Sequence, residues 1–277
     1  METLALHPAV LIPFGIGVGF LGTLVGVGGG FFMVPYFTLA GGLAPARAVG
    51  TSLGAIVFNA VSGSVRWTLQ RRIDWAVAAA FAVATLPGAW LGRKAGAAID
   101  ASQFKIAFAV VVALAAVSLL AAQPSAGDAT RLAWFRRGSR RDFTDAFGVR
   151  HEYGVNLPFG VAVSLIVGFV SSLFGVGGGF LHVPVMVVLY GMPVHVAVAT
   201  SQVVLAVTAA GGMVAYALPP EPSVDWRTMV IVGLGAAAGA QVGAIVAPKI
   251  RPDGIKRILA GLLLLVAVAM VVDGLKA

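Results

Sequence analysis

The decamer GVGGGFFMVP occupies Gly26–Pro35, and GVGGGFLHVP occupies Gly175–Pro184. Both lie inside strongly apolar sequence, where a glycine run is neither a surface linker nor an ordinary turn. Three successive glycines weaken a helix by roughly 1 kcal/mol each relative to alanine. The proline that closes each decamer lacks an N–H and crowds the preceding turn. Each decamer therefore predicts a broken or re-entrant helix.

The surrounding sequence is that of a membrane. Of 277 residues, 59% are hydrophobic and 11% charged, whereas a soluble domain carries roughly 25% charged residues. Apolar runs of membrane-spanning length recur near 8–28, 48–70, 76–95, 103–121, 156–176, 196–218, 228–248 and 254–273. These predict eight full spans of an all-α polytopic membrane protein. Two shorter apolar pieces, 31–42 and 180–191, follow the glycine runs. The first amounts to only about 18 Å of helix, a half-membrane element. The N-terminus lacks the cationic region of a signal peptide, so the first apolar run is expected to remain as a membrane element.

The two decamers belong to a longer repeat. An offset of 149 residues, from Gly26 to Gly175, also carries Ala48, Thr51 and Ser52 onto Ala197, Thr200 and Ser201. With two residues of drift, Asp74–Trp75 matches Asp225–Trp226, and Gly88 and Gly92 match Gly239 and Gly243. Four landmarks in one order mark a tandem duplication. The expected organisation is a first transmembrane repeat over 1–121, an Arg-rich central cytoplasmic loop over 122–155, and a second repeat over 156–277. If each decamer adds one short element to its half, the second repeat inverts relative to the first. That arrangement divides the loop cations more unevenly, as the positive-inside rule favours, and matches the broken-helix architecture of secondary transporters. A parallel repeat is the alternative. The glycines spaced by four at Gly88, Gly92 and Gly96, and at Gly235, Gly239 and Gly243, read as close helix-packing faces.

Composition also excludes chemistry. The chain has no cysteine, hence neither disulfide nor thiolate metal site. The net charge of +8 sits in short loops facing anionic headgroups rather than nucleic acid. Asp74, Asp100, Asp225 and Asp253 fall at span ends, without a buried acid–base pair, so an enzyme is not expected. No GK[ST] follows either glycine run, which removes the nucleotide-loop reading.

What remains is a site for a small anion. Inside the hydrocarbon layer, irregular backbone survives only against protein or a wet cavity. A helix restarting at Phe31 or Phe180 presents free N–H groups and a positive dipole end to an anion. The lining expected is Gly28, Gly29, Gly30 and Phe31 in the first repeat, and Gly177, Gly178, Gly179 and Phe180 in the second. Close packing through small residues competes with that reading. Hydroxyls of Thr51, Ser52, Thr200 and Ser201, and the amides of Asn59 and Gln202, add donors; capping is their alternative role. His182 stands where the first repeat has Met33, and is either a proton carrier or a structural histidine.

The paired GVGGGF…VP elements, each followed by a TS pair, resemble the TauE/SafE family of membrane anion transporters, the sulfite exporters. The resemblance covers nearly the whole chain. It implies export of sulfite, an organosulfonate or a related small sulfur oxyanion across the cytoplasmic membrane of a bacterium, by alternating access. By motif it points to the glycine triplets and the TS pairs named above. An anion channel of the same architecture is the alternative. No cofactor is expected; an inside-negative potential already drives anion export, worth about 2.3 kcal/mol per charge per 100 mV, so H+ or Na+ coupling is optional. A homodimer is compatible with these features.

Overall fold

The computed structural model describes residues 4–121, 138–218, 222–247 and 252–275. Each repeat opens with an 18-residue helix, α1 (Pro8–Val25) and α6 (Leu157–Phe174). A six-residue helix follows, α2 (Gly30–Pro35) and α7 (Gly179–Pro184), prolonged by a wider π turn at Tyr36–Ala40 and Val185–Leu189. The π turns begin after Pro35 and Pro184, where a missing N–H breaks the regular ladder. Three long helices complete each repeat: α3 (Pro45–Leu69), α4 (Trp75–Gly96) and α5 (Ala101–Ala121), then α8 (Val194–Ala217), α9 (Trp226–Val246) and α10 (Pro252–Gly274).

Six of these ten helices, α1, α3, α4, α6, α8 and α9, are long and apolar enough to cross a membrane. Of the eight spans expected, the runs at 103–121 and 254–273 form α5 and α10, whose described apolar stretches, Ala101–Val117 and Leu263–Gly274, are shorter.

The repeats interlock rather than stand side by side. The first helix of each packs on the fourth helix of the other. On one side Gly235, Gly239 and Gly243 of α9 lie against the backbone of Ile12, Ile16 and Phe20 on α1. On the other, Gly88 and Gly92 of α4 lie against Leu165 and Phe169 on α6. Residue numbers rise together in both pairs, so each pair runs parallel. In a bilayer, helix association depends on such close packing because lipid is as apolar as the side chains. The two third helices, α3 and α8, cross at the centre, and α5 packs on α10. There Lys105 meets Asp273 at 2.6 Å and the Ser102 hydroxyl donates to the Gly274 carbonyl at 2.6 Å.

Both broken helices turn back. Tyr36, on the π turn after α2, donates its hydroxyl to the Ala5 carbonyl just before α1, at 2.7 Å. Tyr190 likewise donates to the Asn156 carbonyl just before α6, at 3.3 Å.

The expected central loop is not uniformly loop. Residues 122–137 lie outside the described residues, but Ser139–Thr144 (β1) and Arg150–Val155 (β2) form an antiparallel hairpin, Ser139 opposite Val155 and Thr144 opposite Arg150. This corrects the all-α expectation. The reason is period-two alternation: His151, Tyr153 and Val155 are buried while their neighbours face out, as half-buried strands require. The hairpin closes on Asp145, whose carboxylate accepts the N–H groups of Phe147 (2.9 Å) and Val149 (3.0 Å).

The hairpin docks on the membrane helices. Arg72, just after α3, pairs with Asp145 at 3.0 Å, and His151 lies 3.2 Å from the same carboxylate. Tyr153 donates to Asp74, the first residue before α4, at 3.0 Å, and Arg141 approaches it at 3.5 Å. Burial opposes ionisation of Asp145, but the Val149 amide, His151, Arg72 and the Phe147 amide outweigh it and hold the carboxyl at about 2.

Candidate functional site

Each break is built by glycine conformation. Gly26 and Gly175 cap α1 and α6 at φ 77° and 67°, and Gly28, Gly29 and Gly177 also take positive φ. A side chain there strains the backbone, because Cβ meets the following carbonyl. Gly178 differs: its φ is −76°, against 84° at Gly29. The two breaks are thus not equivalent.

The breaks meet at the centre of the molecule. Gly30 lies so close to the Gly175 carbonyl and Val176 that a Cβ has no room, and Gly179 lies equally close to the Gly26 carbonyl. The rings of Phe31 and Phe180 touch edge to face, their centroids 5.0 Å apart. Leu205 of α8 and Ile56 of α3 cover Gly28 and Gly177. Every residue here is buried. A small apolar cavity adjoins the crossing, lined by Val27, Gly29, Phe31 and Phe180, with Ala115 of α5 and Leu263 of α10 on its outer wall.

The backbone at the crossing has donors to spare. Phe32 and Met33 return their N–H groups to the Gly29 carbonyl, at 3.0 and 3.2 Å, and Leu181 and His182 return theirs to Gly178. Among the described residues, no backbone carbonyl accepts from the N–H groups of Gly29, Gly30 or Phe31, nor from Gly178, Gly179 or Phe180. These are the unmatched donors any helix start carries.

The TS pairs join one repeat to the other. Thr51 accepts the backbone N–H of Asp225 at 2.9 Å, and Thr200 accepts that of Asp74 at 3.0 Å. Each Asp in turn caps its helix, Asp74 accepting from Val77 (3.1 Å) and Asp225 from Thr228 (3.2 Å). Ser52 donates to the Gly175 carbonyl at 2.8 Å, whereas the Ser201 hydroxyl is shared between the Val198 carbonyl one turn back in α8, at 2.9 Å, and the Gly26 carbonyl, at 3.3 Å. Ser52 therefore holds the end of the other repeat's first helix, and Ser201 reaches the matching end by a longer, shared contact. In this conformation the serine protons are engaged, while each threonine, acting as acceptor, keeps its proton to give.

The remaining candidates stand a little apart. Asn59 ties α3 to α1, accepting from Thr23 at 2.9 Å and donating to the Gly19 carbonyl at 3.3 Å. His182 lies with Nδ1 3.1 Å from the Gly178 carbonyl and Nε2 3.0 Å from the Ser164 hydroxyl. The carbonyl can only accept, so Nδ1 carries the proton; neutral His182 then accepts from Ser164. Gln202 is fully buried, and among the described residues neither of its amide atoms has a partner. Sequence reasoning passed over Thr23 and Ser164, the partners of Asn59 and His182. The repeat offset offered a signal for one of them: Thr23 corresponds to Ser172, a hydroxyl kept in both copies.

A membrane-embedded helical core with two crossed helix breaks defines the class: a polytopic protein of transporter architecture. The family described as "Sulfite exporter TauE/SafE" matches residues 7–270, and the chain belongs to that family. It is 28% identical over 273 residues to "Probable membrane transporter protein YunE" of Bacillus subtilis, covering 96% of this chain and 98% of that relative. A "Probable membrane transporter protein" of Xylella fastidiosa is 26% identical over 87% of this chain and 86% of its own. "Probable membrane transporter protein MJ0441" of Methanocaldococcus jannaschii is 28% identical, over 78% of this chain and 74% of its own length. No solved structure matches the chain.

Proposed function

We propose that the protein is a secondary transporter that exports a small sulfur-containing oxyanion across the cytoplasmic membrane by alternating access. The anion is held where the two breaks cross, by main-chain N–H groups and the hydroxyls of Thr51 and Thr200. The observation that carries this reading is the crossing itself, Gly30 against Gly175 and Gly179 against Gly26, which brings two sets of unmatched donors together. Donors of this kind compensate a charge without fixing it as a buried arginine would, so the solute can leave. The family description supports sulfite as the first solute to test.

The two repeats are inverted relative to each other in this proposal, and α5 and α10 complete eight spans. Two contacts support the inversion. Helix α2 returns to the beginning of α1 through Tyr36 and Ala5, so α3 starts on that side. The far end of α3, at Arg72, carries the hairpin that leads into α6. The first helices of the two repeats then start at opposite ends of α3.

Exchange of labelled sulfite in proteoliposomes tests the reading. The expected result is counterflow, with labelled solute accumulating against unlabelled solute, and its loss in Gly178→Leu while membrane insertion persists. Single-channel currents without counterflow make the protein a channel; neither signal removes a transport role.

A further inference from the structure

Gln202 breaks the symmetry of the repeat at a buried position. Its counterpart at the 149-residue offset is Leu53. Both are fully buried, Gln202 on α8 and Leu53 on α3. Their surroundings match as well: Gln202 lies beside Gly63, with Thr23 nearby, and Leu53 lies beside Gly212, with Ser172 nearby. A leucine therefore fits this kind of place, and folding does not demand an amide here.

An amide in such a place is costly, since an unpaired buried polar group loses its bonds to water and gains none. Among the described residues, Nε2 and Oε1 of Gln202 both lack a partner. The nearest hydroxyl, that of Thr23, gives its proton to Asn59 and so has none for Oε1. Thr23 lies in the last turn of α1, and the hydroxyl of Ser201, adjacent to Gln202, is 3.3 Å from the Gly26 carbonyl, so Gln202 sits beside the end of α1 where the first break begins. The chain thus keeps an unsatisfied amide, donor and acceptor together, at one break; at the other a leucine stands beside the Ser172 hydroxyl, which among the described residues also lacks a partner.

We propose that Gln202 selects the solute: an oxyanion that retains a hydrogen-bond donor of its own, such as a singly protonated oxyanion, held at the first break alone. Nε2 donates to a solute oxygen while Oε1 accepts the solute's O–H. A fully deprotonated dianion leaves Oε1 facing negative charge and is disfavoured. This rests on the transport reading above and deepens it, replacing two equal half-sites with one.

Gln202 has no ionisable group, and Gly63 and Thr23 facing it carry no charge; Arg66, one turn beyond Gly63 on α3, is common to wild type and variant. His151, His195 and Asp145 near the hairpin are the same in wild type and variant, so the difference between the two pH profiles isolates the solute. Sulfite is the probe, because it passes between singly and doubly charged forms near neutrality, with sulfate as the dianion control. In proteoliposomes, wild-type flux is expected to follow the hydrogen sulfite fraction from mildly acidic to mildly alkaline buffer, and sulfate to move little. Gln202→Leu is expected to insert and melt as wild type does, to lose about tenfold or more of the sulfite flux, and to lose the preference over sulfate. Leu53→Gln is expected to keep wild-type selectivity. Gln202→Met, which keeps the chain length, is the second variant. Wild-type flux and pH profile in Gln202→Leu overturn the proposal and leave the transport reading standing. Failure of both variants to insert assigns Gln202 to folding and overturns it too. Absence of any oxyanion flux through wild type removes the transport reading and this inference together.

Discussion

Gly29 and Gly178 hold the same place in their repeats but not the same conformation, and a single methyl separates them. A Cβ on Gly29 needs positive φ and meets the Val18 side chain, whereas Gly178, at φ −76°, meets Val167 at 2.8 Å and the His182 ring at 3.2 Å. The left-handed conformation costs a non-glycine residue about 1–2 kcal/mol. Gly29→Ala is therefore expected to lower the midpoint of thermal unfolding in detergent further than Gly178→Ala; equal midpoints refute the asymmetry. His182 accounts for the difference: its ring bonds the Gly178 carbonyl, an interaction Met33 in the first copy cannot make. The substitution of His182 for Met33 was plain in the sequence. Its consequence was not, because φ at a glycine is decided by contacts made elsewhere. The TS pairs show the same boundary: symmetry flagged Thr51, Ser52, Thr200 and Ser201 as important, but only the fold reveals that each reaches into the opposite repeat.

At the scale of elements, the apolar runs marked every long helix, because a membrane segment announces itself by length and hydropathy. The broken helices were legible for the same reason that they break, three glycines and a proline in ten residues. The hairpin was missed because six arginines between 122 and 155 dominated the reading, and the alternation through Phe143, Tyr153 and Val155 is short. Its docking on Arg72 and Asp74 rests on buried carboxylates, which gives it a pH limit. The Asp145 carboxyl ionises at about 2 in the folded protein and at 3.8 in an ordinary setting. A lowered value stabilises docking above the ordinary range, and that contribution fades as pH falls through the window between the two. Hydrogen exchange over 139–155 is expected to rise through that window, while exchange in α3 and α8 does not. Asp145→Asn is expected to raise the hairpin's exchange already at neutral pH. A hairpin equally protected in that variant contradicts the assignment.

Across the whole molecule the repeats exchange partners: α1 packs on α9, α6 on α4, and α3 on α8 at the centre. Duplication was readable from the offset, but the exchange was not, since sequence similarity fixes what each unit is and not which unit it embraces. The glycine stripes were half the answer, naming the faces without naming the partners. Trp75 and Trp226, each following the Asp that caps its helix, are more than half exposed and suit the headgroup level at which indoles settle. The proposed inverted arrangement puts Leu4 on one side of the membrane and Phe147, at the hairpin tip, on the other, both well exposed. The cysteine-free chain allows single-cysteine labelling without background. Leu4→Cys and Phe147→Cys are expected to react with an impermeant maleimide from opposite sides of the membrane. Reaction from the same side restores the parallel repeat.

The measurement closest to the mechanism is the position of a bound oxyanion. Selenite has the geometry of sulfite and scatters anomalously at the selenium edge, so crystals grown with it reveal the solute directly. The expected peak lies within hydrogen-bonding distance of main-chain N–H groups at Gly29–Phe31 or Gly178–Phe180. A peak held instead by arginine side chains at the membrane surface, with both glycine crossings empty, contradicts the account.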